Sequence, residues 1–181
     1  MTQSIESGPL RNLLSHYLEA RGSRRMPSRR DIDALKLGPV LPIIWVMEHE
    51  PAAGTFRYRI AGEEVNDAFG RSVTGHLLSE LVAPDHFPTV TANFLRVIEE
   101  EAAMIASGPL YRCTDRMAVG QRLALPLSDD GEKAGGIVGA TLRKSLVDLN
   151  AVTMQEQTLT FVSVDDLVSP DRSQAAGGLG G

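Results

Sequence analysis

Residues 56–60, FRYRI, alternate apolar and charged side chains without a break, and no other feature constrains the fold as tightly. A period of two makes a half-buried strand, with Phe56, Tyr58 and Ile60 inward and Arg57 and Arg59 outward. The preceding run IIWVME, residues 43–48, is β-branched and aromatic and predicts a buried strand. An acidic, proline-containing piece at 50–54 joins the two as a hairpin. Gly62 breaks the second strand, and residues 63–69 predict a short helix stopped by Gly70. A long helix is expected from Pro84 to about Met104 or Ala106, with Phe87, Val90, Phe94, Leu95, Val97 and Ile98 on its apolar face. Three strands follow, the first a short one carrying Tyr111 and Cys113. The second, 120–127, carries Leu123, Leu125 and Leu127 on one side, and the third is GGIVGATL, 135–142. Ser128-Asp129-Asp130-Gly131 between the last two is a strong hairpin turn. The sum is an α+β fold, a five-stranded antiparallel sheet with helices on one face. Whether TLTFVSV, residues 158–164, adds an edge strand is open, and residues 169–181 read as a flexible tail.

Ahead of this core, Ser7 and Pro9 open an N-terminal amphipathic helix whose Leu10, Leu13, Leu14, Tyr17 and Leu18 form one stripe, ended by Gly22. The stripe needs cover, from the domain's own sheet or from a second copy. Residues 23–42 make a connector punctuated by prolines, in which Ser28 and Asp31 can start a short helix. The expected organisation is helix and arginine-rich connector over 1–40, core over 41–145 and extension over 146–181. Charge is split along the same line. Residues 1–30 hold six arginines and two glutamates, net +4, on a chain of net −5, which leaves −9 for the remainder.

The arginine-rich MPSRRDIDALKLGPVLP (26–42), FRYRIAGEEVNDAFGRSVTG (56–75) and the closing hairpin with GGIVGATL resemble a PAS domain, in particular the short stand-alone bacterial PAS-like proteins. The most specific phrase is a strand, then Arg-x-Ala-Gly, a short helix and Phe-Gly-x-x-x-x-Gly, and the likeness runs over about residues 10–145. It implies a pocket-bearing sensory or interaction module, often dimeric, without catalytic activity. It implies no fixed cofactor, since such domains bind haem, flavins, small acids or nothing. A haem ligand would have to be His76 or His86, and Cys113 lies outside the helical motif of flavin-linked photosensors, so haem and flavin are both disfavoured.

Topology nominates Trp45, Phe56, Tyr58, Phe69, Phe94, Tyr111, Cys113, Leu123 and Leu125 for the space between sheet and helices, as ligand contacts or as plain core. Leu10, Leu13, Leu14, Tyr17, Leu18, Arg29 and Arg30 are the candidate interface with a second copy or partner. The four histidines form no spaced pair with one another or with Cys113, so no metal site is expected. No nucleophile elbow or dinucleotide loop is present, and no enzyme is expected. For the arginine cluster, nucleic acid is disfavoured by the acidic remainder. Arg25-x-x-x-Arg29 echoes half of a cyclic-dinucleotide motif whose companion is missing. Pairing with acidic surface such as Glu99, Glu100 and Glu101, within the chain or across a dimer, is preferred. No export signal or spanning segment is read, and one cysteine suits the cytoplasm. The expectation is a cytoplasmic, homodimeric sensory module for a small apolar or amphipathic ligand, with output through a signalling partner because no output domain fits the remaining residues. A ligand-free adaptor is the alternative, and a small enzyme ranks last.

Overall fold

In the computed structural model, residues 5, 7–113, 116–130, 132–148 and 156–167 are described, without the side chains of 112, 113 and 116. Six strands form one antiparallel sheet in the order β2-β1-β5-β4-β3-β6. They are β1 Ile44–Glu50, β2 Thr55–Ala61, β3 Ala102–Cys113, β4 Arg116–Ser128, β5 Ala134–Asp148 and β6 Thr158–Ser163. The helices are α1 Gly8–Arg21, α2 Glu63–Phe69 and α3 Phe87–Glu99. Five strands thus build the core expected from the patterning, and the segment left open joins as the sixth, paired along β3.

Both faces of the sheet's centre are covered. On one lie α2, a 3-10 turn at Leu78–Glu80 and α3. The other is covered by α1, the N-terminal helix that precedes the core. Ser7 caps α1 by accepting from the Leu10 amide at 3.2 Å, and Gly22 closes it. Its stripe is spent within the chain rather than on a second copy. Leu10, Leu13 and Tyr17 are fully buried, Leu14 nearly so, and Leu18 packs at the margin. The Tyr17 hydroxyl donates to the Pro126 carbonyl at 2.7 Å, tying α1 to β4. Fixing Tyr17 this way satisfies a polar atom that burial would otherwise strand.

Two local readings change. The helix α3 stops at Glu99, and the run Ala102 to Ala106 is strand, buried on both sides. Glu101 takes a positive φ of 49°, which breaks the helix, and an apolar run with two covered faces has no periodicity to mark it as strand. The β2 alternation holds for Phe56 and Tyr58 but not for Ile60, which is about half exposed. A bulge opposite Val46 and Met47 shifts the register and turns Ile60 to the other face. Gly62 of the Arg-x-Ala-Gly phrase allows β2 to pass the Leu41 and Pro42 carbonyls, into which a Cβ would project.

The connector behaves as a strap. Met26, Leu37 and Val40 are buried, and Ser128 donates its amide to the Pro27 carbonyl at 3.1 Å. Ser28 and Asp31 cap a single 3-10 turn reciprocally. Arg24 meets Asp31 at 2.8 Å, Arg21 meets Asp165 at 2.8 Å, Arg29 meets Glu48 at 3.5 Å and Arg25 pairs with Glu101. Arg30 has no ion-pair partner among the described residues. The pairing is within the chain, and such exposed pairs contribute roughly 0–1 kcal/mol each. The apolar residues therefore hold the strap, and the arginines position it.

If α1 is intramolecular cover, Leu13→Ala lowers the unfolding free energy by about 2–5 kcal/mol in urea titrations. Its sedimentation mass stays that of the unmodified chain. The Ser28 amide and Arg24 hold the Asp31 carboxyl below the usual aspartate range. Its contribution is therefore present above the unfolded aspartate pKa of about 3.9 and is lost as pH falls through the lower folded value. Asp31→Asn is expected to flatten that part of an acid unfolding profile.

Candidate functional site

The register decides which β4 side chains face the helical block. Ala124 pairs with Gly139 and Arg122 with Thr141, while Leu123 pairs with Ala140 and Leu125 with Val138. Trp45 pairs with Gly139 from β1, and a Cβ at Gly139 would overlap the Trp45 ring. Trp45 also meets Phe94 of α3 edge-on at 5.5 Å. Trp45, Gly139, Thr141, Ala124 and Arg122 therefore share the face toward α3. Leu123 and Leu125 sit on the opposite face, with α1, which corrects their placement at the candidate pocket.

Between that face and the helices lies a cavity of about 670 Å³. Tyr58, Phe69, Phe94 and Tyr111 line it, joined by Leu78, Leu81, Val82 and Val90 from the helical block and by Met117 and Arg122 from β4. Trp45 and Phe56 are not in its wall; they form the packing behind it, each edge-on to Phe94, at 5.5 and 5.9 Å. Phe69 bridges the remaining rings, 6.3 Å from Tyr58 and 5.3 Å from Tyr111. The side chain of Cys113 is outside the described residues.

The floor is polar at one point. Thr141 Oγ1 accepts from the Trp45 indole N–H at 2.9 Å and from Arg122 Nε at 3.0 Å, and it lies 3.2 Å from the Tyr111 hydroxyl. The Arg122 guanidinium is also stacked among rings, 4.8 Å from the Tyr111 centroid, 5.9 Å from Trp45 and 6.0 Å from Phe94. It is 9% exposed. Burial raises the Tyr58 phenol above its ordinary range, with Tyr111 adding to the effect and Arg122 opposing it. Tyr58 is thus a neutral hydrogen-bonding group at any ordinary pH.

Arg122 and Thr141 are the site residues that the patterning missed. In GQRLALPL the arginine occupies the polar phase of the alternation and reads as solvent-facing. The available signal was its position in a central strand between two others, where the polar phase also faces protein. The two histidines considered for haem are peripheral. His86 is at the cavity mouth with its side chain 62% exposed, near Asp85, and His76 stacks its polar contacts on Arg71 and Glu80. Among the described residues no group of three or more His, Cys, Asp or Glu side chains is placed to hold a metal, and no helix is long and apolar enough to cross a membrane.

The shared threonine oxygen makes a specific demand on stability. Thr141→Val keeps the shape but orphans the Trp45 and Arg122 donors, at roughly 1–3 kcal/mol for each. Thr141→Ser retains the acceptor and is expected to stay within about 1 kcal/mol of the parent, as measured by urea unfolding followed through Trp45 emission.

No curated protein matches the chain. The family model described as "PAS domain" matches residues 5–142, a span that includes α1, the strap, the first four strands and most of β5. With its antiparallel sheet, its helical block over one face and this match across most of its length, the chain belongs to the PAS domain family, whose members are in general sensory or regulatory modules.

Proposed function

We propose that this chain is a cytoplasmic sensor that holds a small amphipathic molecule in the cavity between α3 and the sheet, and reports its presence to a protein partner. The carrying observation is the cavity itself. Its volume of about 670 Å³ falls in the range of small-ligand sites, and its wall is largely apolar with a few convergent polar groups. Among the described residues no nucleophile–base–acid constellation accompanies it, so the reading is binding rather than catalysis. One cysteine in the chain suits a reducing compartment.

A route for the signal runs through β4. On one side this strand presents Arg122 and Met117 to the cavity, and on the other it presents Leu123 and Leu125 to the face under α1. The Tyr17 hydroxyl grips its Pro126 carbonyl. A ligand that prefers one packing of β4 against α3 shifts the population of that packing, and α1 with the strap moves in register. Output then passes through contacts with another protein, a second copy or a signalling partner. Since the α1 stripe is buried, such contacts would use other surface, where Leu35, Leu41 and Ile60 are exposed apolar side chains.

Native mass spectrometry of freshly purified protein tests the reading. The expected result is an added mass of a few hundred daltons that is lost on denaturation, and that is missing from Val90→Phe, which fills the cavity from α3. Repeated absence of any bound mass, including after incubation with cell extract, would favour the ligand-free adaptor.

A further inference from the structure

Arg122 carries a charge that no side chain among the described residues balances. Its side chain is buried in the cavity floor, and Nε is its only nitrogen with a hydrogen-bond partner among the described residues. Among the described residues no carboxylate pairs with it there. Asp67, the one acidic residue lining the cavity, is exposed on α2 and forms no ion pair with it. A buried cation without a counter-charge is costly, and the three surrounding rings offset only part of that cost.

Proton counting adds a second donor. The Thr141 oxygen has two lone pairs and one proton. Trp45 and Arg122 can only donate, and they occupy both lone pairs. The proton in the contact with Tyr111 therefore comes from Thr141, which leaves the Tyr111 O–H directed away from this cluster. Tyr58, also in the cavity wall, has no hydrogen-bond partner for its hydroxyl among the described residues. The floor therefore presents two guanidinium Nη groups beside two phenol hydroxyls that can each donate.

We propose that Arg122 anchors an anion subsite in this cavity, which takes the carboxylate of a small amphipathic acid whose apolar body lies along Phe69, Leu78, Leu81, Val82, Val90 and Met117. The inference rests on the cavity being a ligand site, and it names the ligand's charged end. One planar guanidinium matches one planar carboxylate in charge and in fork geometry. A phosphate dianion would bring a second negative charge that no other arginine or lysine in the wall offsets. The ligand thus supplies the counter-ion that the described residues lack, which couples its binding to the packing of β4.

The test uses the full chain with octanoate and 3-phenylpropionate, each against its neutral amide, followed by the emission of Trp45, the single tryptophan. Its indole shares the Thr141 oxygen with Arg122 and so reports on the floor. Acids are expected to bind at least about tenfold more tightly than their amides, the scale of one charge-assisted hydrogen bond. In Arg122→Met that preference disappears while amide binding persists, and the ligand-free melting temperature is unchanged or higher, because an unpaired buried charge has been removed. Arg122→Lys, which keeps the charge without the fork, retains the preference at lower affinity.

Equal binding of acids and amides by the parent protein would overturn the anion subsite and leave the cavity reading intact. Persistence of the preference in Arg122→Met would overturn the role of Arg122. A fall of several degrees in its melting temperature would make the arginine a structural element and overturn the assignment as well. If neither acids nor amides bind and native spectra show no bound mass, the subsite falls together with the cavity reading.

Discussion

Strand β4 is hydrogen-bonded on both edges and covered on both faces, and this double burial governs the rest of the molecule. Every side chain along its centre must meet protein, whichever phase of the alternation it occupies. The leucine phase meets the face under α1, where leucines pack without polar obligations. The other phase, Arg122, Ala124 and Pro126, faces the helical block, where small residues leave room for Trp45 and Phe94 and where the single large polar residue ends on the cavity floor. An arginine in that phase has to be solvated by something other than bulk water, and Thr141 with three aromatic rings supplies part of the answer.

The Thr141 cluster and the α1 contact are two solutions to the same problem. Trp45, Tyr111 and Tyr17 bring large apolar areas to the core and a polar atom each. The Trp45 indole donates to one threonine oxygen that also meets the Tyr111 hydroxyl, and Tyr17 donates to the Pro126 carbonyl of β4. Each partner is 30 or more residues away along the chain, so these bonds record tertiary structure directly. Strand β4 takes part in both, through Arg122 on the cavity side and through the Pro126 carbonyl under α1.

The strap shows how charge and burial divide their work. The excess of arginine in the first thirty residues suggested a grip on acidic surface, and Arg25 to Glu101, Arg21 to Asp165 and Arg29 to Glu48 provide it within one chain. These pairs are largely solvated, so the energy that keeps the strap down comes from Met26, Leu37 and Val40. Charge complementarity selects where the strap lies, and burial keeps it there.

Much of the fold was legible because local rules act over a few residues. Alternation in FRYRI, the glycine stops at 62 and 70, the stripe from Leu10 to Leu18 and the turn at 128–131 each carry their meaning within one or two turns of chain. The order of elements and the PAS likeness follow from them. Four of the pocket aromatics and aliphatics were identifiable for the same reason, as Tyr58, Phe69, Phe94 and Tyr111 lie on apolar faces of elements whose type was readable. What only the tertiary structure decided is which face is which. Period two says that Leu123 and Arg122 point opposite ways, but it is silent on which way the helical block lies, and a sheet covered on both sides gives its apolar phase two equally good homes. The same symmetry placed the α1 stripe against its own sheet instead of a second copy, and hid the beginning of β3 inside an expected helix. Register, bulges and long-range pairing break that symmetry, and they turn an arginine that reads as solvent-facing into the floor of a cavity.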